Sequence, residues 1–153
     1  MTAYRVATNP GDYQFAHALM RAEGVVEKQK ITFPTILAYD DDNKVVGMLG
    51  TRIINRMIVA GPLILRGDQR RSFTAMRLFE FYENAMKNMG IKSFIFSTEI
   101  GHIFDKVVRE KLELQPYAVD DGQNWYIRKL DYEHQSQGPR AEPGRDRASE
   151  SPS

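Results

Sequence analysis

At 153 residues, 42% hydrophobic and 27% charged, the chain is sized for one domain with a core of its own. A formal net charge of +1 gives no global field for nucleic acid or a membrane surface, and the absence of cysteine excludes disulfides, a thiol nucleophile and a sulfur-built zinc site. MTAYRVATNP lacks a signal-peptide stretch and no apolar run approaches the roughly 20 residues that span a bilayer, so a soluble cytoplasmic protein is expected.

Tyr4 to Thr8 alternates and stops at Asn9-Pro10-Gly11, which predicts a short first strand. Asp12 is the expected cap of a helix with Phe15, Ala18, Leu19 and Ala22 at helical spacing, ended by Gly24. Val25 to Thr32 fits either a loop or a second short helix. TILAY, the turn at Asp40 to Asn43 and KVVGMLGTRII make a hairpin pattern. Asn55-Arg56 then turns into MIVAGPLILR, where Gly61-Pro62 removes one backbone donor and predicts a bulge or an edge position.

The next helix carries Phe73, Met76, Phe79, Tyr82, Met86 and Met89 at steps of three or four and stops at Gly90. IKSFIFS reads as a buried strand and His102 to Lys111 as a helix. A final hairpin turns at Asp120-Asp121-Gly122 into NWYIRKL. From Glu133 the chain is rich in Pro, Gly and Ser without an apolar anchor, which predicts a domain over 1–132 and a disordered tail over 133–153. A strand-loop-helix-strand unit after an antiparallel meander predicts an α/β (α+β) fold with a mixed, mostly antiparallel sheet flanked by helices.

The segment Arg66-Gly67-Asp68-Gln69-Arg70-Arg71-Ser72 joins the fourth strand to the long helix. Unsatisfied N–H groups at a helix N-terminus attract anions, and Arg66, Arg70 and Arg71 add side chains that grip phosphate in bidentate fashion. The same residues also fit a solvated turn in which Asp68 caps the helix.

With the element order, this loop resembles the GNAT superfamily of acetyl-CoA-dependent N-acyltransferases, over about Tyr4 to Leu130. The family's loop reads Gln/Arg-x-x-Gly-x-Gly/Ala. Gln69-Arg70-Arg71-Ser72-Phe73-Thr74 stands there, with hydroxyls at Ser72 and Thr74 in place of glycines. KVVGMLG is similar to the family's second hairpin. The resemblance implies acetyl-CoA as co-substrate, with its phosphates on Gln69, Arg70, Arg71, Ser72, Phe73 and Thr74 and its pantetheine arm on the backbone near Ile64 and Leu65. It further implies direct attack by an amine on the thioester, with a strand N–H stabilising the developing oxyanion.

The family's last helix often carries a tyrosine that protonates the departing thiol. Alignment on VREKLEL puts Arg109 in its place, Glu113 at a glycine, Leu114 at a phenylalanine and His102 at an asparagine. Arginine stays charged and is no general acid near neutral pH. These departures also fit a catalytically reduced scaffold that binds a protein partner, of the kind found among bacteriophage accessory and virion proteins.

Glu99, just past IKSFIFS at a strand end, and His102 are the candidate bases for an amine's proton. Glu99 also fits a cap of the next helix or a solvent-facing position, and His102 a surface position. His17, His102 and His134 are too scattered for a metal site, and no metal is expected. The run Asp40 to Asn43 lacks the Gly and closing Glu of a calcium loop, and no serine stands in a Gly-x-Ser-x-Gly elbow. The expected partners are acyl-CoA and an amine acceptor, or else a protein; neither nucleic acid nor a membrane is expected. Nothing in the sequence selects the acceptor.

Overall fold

The computed structural model describes residues 2–26, 30–67 and 72–130. Asp68, Gln69, Arg70 and Arg71, the side chain of Ser72 and the expected tail lie outside the described residues. The elements are β1 Ala3–Val6, α1 Pro10–Ala22, β2 Thr32–Tyr39, β3 Val45–Ile54, β4 Met57–Leu65, α2 Ser72–Asn88, β5 Ser93–Glu99, α3 Ile103–Lys111, β6 Ala118–Asp120 and β7 Gln123–Lys129. No helix among the described residues is long and apolar enough to cross a membrane.

The strands form one sheet of seven in the order β1-β2-β3-β4-β5-β7-β6. Every neighbouring pair is antiparallel except β4 and β5, because α2 supplies the long crossover that parallel strands need. The hairpins turn on residues that tolerate positive φ: Asn55 at 51° and Arg56 at 67°, then Asp121 at 52° and Gly122 at 74°. This is the mixed, mostly antiparallel sheet with flanking helices that the sequence pattern predicts.

Strand alternation divides the core between two faces. Leu49 joins Leu78, Phe79, Tyr82, Phe94, Phe96 and Tyr126 on the face covered by α2 and α3. Met48, one residue earlier, joins Ala16, Leu19, Met20, Leu37 and Ile64 beneath α1. Thr51 ties the first face together. Its Oγ1 donates to Pro34 O at 2.6 Å, so Tyr82 OH is the donor in the 2.7 Å contact between the two hydroxyls. Burial pushes the Tyr82 hydroxyl up to about 12, against the opposing effects of Thr51 and Arg52.

The structure corrects several local expectations. Asn9 caps α1, its side chain taking Asp12 N at 2.9 Å. Asp12 is instead buried in the first turn, accepting from Thr8 N and paired with Arg5. The buried stripe of α1 is Asp12, Ala16, Leu19 and Met20, which leaves Phe15 exposed. On α2 the inner face runs through Ala75, Leu78, Phe79, Tyr82, Ala85 and Met86, while Phe73 and Met89 at the ends are exposed. No helix occurs among the described residues between Val25 and Thr32.

Candidate active site

β4 and β5 share one ladder pair, Val59 with Ile95, near the start of both strands. Beyond it β4 bulges. Leu49 pairs with Leu63 and Thr51 with Ala60, so Gly61 and Pro62 stand opposite Gly50 alone. Pro62 has no N–H to offer a neighbouring strand. Gly61 has φ of 142°, a conformation that side chains disfavour, and Arg52 Nη2 lies 2.9 Å from where a Cβ would stand. Gly61→Ala is therefore expected to lower stability by about 1–3 kcal/mol. An unchanged urea midpoint would show that the bulge does not depend on that backbone conformation.

Past the bulge the strands part around a cleft of about 320 Å³, within the range of small-molecule sites. Leu49, Ala60, Phe79, Phe96 and Phe104 line one side and belong to the face under α2 and α3. Arg52, Ser97, Glu99 and Gln123 line it as well. Their neighbours Thr51, Thr98 and Asn124 point to Tyr82 and Asp105 on the helix side, so alternation turns these four to the opposite face. The cleft thus passes through the sheet, with an aromatic wall on one side and a charged mouth on the other.

The open edge of β4 supplies backbone groups. Arg66 N donates to Val46 O at 2.9 Å, and Ile64 is paired with Met48, so alternation directs the Ile64 amide to β3. The amides of Leu63 and Leu65 then face the side where β5 has left. Of the two residues expected to meet a pantetheine arm, Leu65 lies on the open edge, and Ile64 contributes its side chain to the core under α1.

Glu99 and His102 both line the cleft. Glu99 ends β5 opposite Gln123 and is exposed. His102 caps α3, its Nδ1 accepting Phe104 N at 3.1 Å. That bond leaves the proton of a neutral ring on Nε2, so taking another proton at Nδ1 would cost the cap. Of the loop residues in the described part, Phe73 is exposed and Thr74 is buried in the first turn of α2. Arg66 stands 3.7 Å from Asp40. The expected phosphate contacts at Gln69, Arg70 and Arg71, and the Ser72 hydroxyl, fall outside the described residues.

Asp105, beside this site, was not legible in the sequence. It is buried, and its Oδ1 accepts from Thr98 Oγ1 at 2.5 Å, Tyr126 OH at 2.5 Å and Asn124 Nδ2 at 3.1 Å. Arg109 Nε donates to Oδ2 at 3.2 Å. Burial alone would push the carboxyl up, but the bonds from Thr98, Tyr126 and Asn124 and the charge of Arg109 outweigh it, holding it below its ordinary value of 3.8. Arg109 is thus spent on a carboxylate and is not among the described cleft-lining residues. Arg52 is a further lining residue, and a charge interrupting the strand VVGMLGTRII is its readable signal in the sequence. Among the described residues no group of three or more His, Asp or Glu is placed to hold a metal.

The seven-stranded, mostly antiparallel sheet with its flanking helices has the fold of the GNAT acyl-CoA N-acyltransferases. Solved structures of that fold superpose on most of the chain. An N-acetyltransferase from Staphylococcus aureus matches with a TM-score of 0.60 at 13% identity, over 85% of this chain and 98% of its own. The PaiA N-acetyltransferase from Thermoplasma acidophilum, in complex with coenzyme A, matches at 0.61 and 13%, over 84% and 99%. The NatC complex bound to a Gag peptide and CoA contains a chain matching at 0.60 and 15%, over 85% and 99%. No family model matches the sequence. No curated protein matches it either.

Proposed function

We propose that the protein is an acyl-CoA-dependent N-acyltransferase that moves an acetyl group from acetyl-CoA to an amine by direct attack. The observation that carries this reading is the parting of β4 from β5 around a cleft that traverses the sheet. The open-edge amides of Leu63 and Leu65 suit the amide-rich pantetheine arm, and the start of α2 at Ser72, which Gln69, Arg70 and Arg71 precede in the sequence, suits the phosphates. Structural neighbours solved with CoA support acyl-CoA as the ligand.

The cleft keeps the two reactants on opposite faces until they meet at the bulge. There the amine nitrogen attacks the thioester carbonyl carbon, a C–N bond forms and the C–S bond breaks. Glu99 takes the amine's proton, directly or through water, and the CoA thiolate leaves and is protonated from solvent. Pro62 offers no N–H to the developing oxyanion, so Leu63, next along the open edge, is the strand donor assigned to it.

Thermal denaturation with and without acetyl-CoA tests this. Ligand at ~100 times its dissociation constant adds ~2.7 kcal/mol, a rise of roughly 5–10 °C. Arg70→Glu combined with Arg71→Glu is expected to abolish that rise while the unliganded melting temperature stays in place. A flat wild-type curve at millimolar acetyl-CoA overturns the reading and favours a catalytically reduced scaffold that binds a protein partner.

A further inference from the structure

The half of the sheet made by β5, β7 and β6 is packed on one face only. Phe94, Phe96 and Tyr126 join the core under α2 and α3, whereas the core beneath α1 draws no residue from these three strands. Ile95, Trp125 and Ile127, which alternation turns away from α2 and α3, belong to neither core. Trp125 is half-buried and Ile127 is 42% exposed.

The register arranges this face in rows that lead away from the cleft. Glu99 pairs with Gln123 and Gln123 with Asp120, so the first row is polar and carries two exposed carboxylates. Ser97 pairs with Trp125 and Trp125 with Ala118 in the second row. Ile95 pairs with Ile127 in the third. Ser97, Glu99 and Gln123 line the cleft. Trp125 stands beside Ser97 and diagonal to Glu99, at a separation of ~7–8 Å that aromatic and long side chains bridge. Arg52, on the same face, lies two strands from Glu99 and donates to Gly61 O. An acidic mouth is thereby continuous with an aromatic and aliphatic floor.

Resting on the acyl-transfer reading, we propose that the acceptor is a primary amine on an apolar body, an arylalkyl or bulky alkyl amine without a carboxylate. Glu99 meets the ammonium, and the indole of Trp125, with Ile127 beyond it, takes the body. Continuity with the cleft selects this occupant: a molecule whose nitrogen reacts beside Glu99 lays its next few carbons over Trp125. Apolar area removed from water there contributes affinity in proportion to the area covered. Glu99 and Asp120 disfavour a second anion, so a zwitterion gains less than a plain cation. The floor is open to solvent, and about 10- to 100-fold in kcat/KM is expected between phenethylamine and ethylamine.

Recognition is separable from packing of β7. Were Trp125 only a packing residue, Trp125→Ala would lower the melting temperature and slow every amine alike. As part of the acceptor site, it changes the ratio between amines through KM, and Trp125→Phe restores part of that ratio.

Trp125 is the single tryptophan of the chain, so its emission reports the contact without turnover. On the full-length protein the acetyl-CoA melting shift is measured first. Emission is then followed with CoA present as cyclohexylethylamine, which does not absorb with the indole, or ethylamine is added. CoA release is compared for phenethylamine, ethylamine and phenylalanine in wild type, Trp125→Ala and Trp125→Phe. Expected is a blue shift with cyclohexylethylamine alone, and phenethylamine ahead of both other acceptors. Its advantage over ethylamine falls toward unity in Trp125→Ala and is partly regained in Trp125→Phe. Unmoved emission, equal or absent turnover of the three acceptors, a preference for phenylalanine, or an advantage that survives Trp125→Ala overturns this inference. Emission of the free protein that reddens on dilution also overturns it, because a second copy then covers the face. In each case a positive acetyl-CoA shift leaves acyl-CoA binding standing, and a missing shift overturns both readings.

Discussion

Asp105→Ala is expected to remove about 3–5 kcal/mol of stability, because it leaves buried donors and one guanidinium without their shared acceptor. Thr98, Tyr126 and Asn124 all aim at one carboxylate oxygen, and Arg109 holds the other. A loss of that size is a large share of a domain's total stability and lowers the melting temperature by roughly 10–20 °C. Asp105→Asn retains an oxygen for the first three donors but turns an N–H₂ toward Arg109, so a smaller loss is expected.

The carboxyl also carries a pH signature. Its folded-state pKa lies below the ordinary value of 3.8, so the folded protein binds the proton less readily than the unfolded chain. The stabilisation is therefore complete above that ordinary value and is lost as pH falls through the lower folded one. Urea midpoints measured from pH 6 downward should show wild type and Asp105→Asn furthest apart above about pH 4. The gap should narrow below it, and a gap that widens on acidification would contradict the assignment of Asp105 as a charged structural anchor.

Glu99→Gln is expected to lower kcat by about 10²- to 10⁴-fold, the usual cost of losing a positioned base. Glu99 is exposed and no described hydrogen bond uses its carboxylate, so the melting temperature should hardly move. His102→Ala should do the reverse. Removal of its bond to Phe104 N costs the cap of α3, about 0.5–2 kcal/mol, with little loss of rate. Parallel steady-state kinetics and melting curves on the two variants decide the matter. A slow, stable His102→Ala beside a fast Glu99→Gln would assign the proton to the histidine.

Arg109 serves in the fold as a partner of Asp105. Its alignment with a thiol-protonating tyrosine makes it a defect in the sequence, and the fold gives it a different task. Both Arg109 and Asp105 lie on α3 at a spacing of four, a local pattern that a helical wheel reveals. Thr98 and Tyr126 reach the same carboxylate from β5 and β7, and no local pattern announces them.

What the sequence by itself determined is what short-range physics controls. Proline, glycine and asparagine mark the turns, alternation marks the strands, and the order of elements follows, including the bulge at Gly61-Pro62. The caps and the phase of α1 were less legible, because Asn9 and Asp12 are both competent caps and only packing against the sheet selected which one is buried. Tertiary structure alone decided three things: the parting of β5 from β4, the gathering of the strand donors Thr98, Asn124 and Tyr126 around Asp105, and the turning of Arg52, Ser97, Glu99 and Gln123 to one face. Each depends on register between strands distant in the chain, and a shift of one residue would send every one of those side chains to the other side of the sheet.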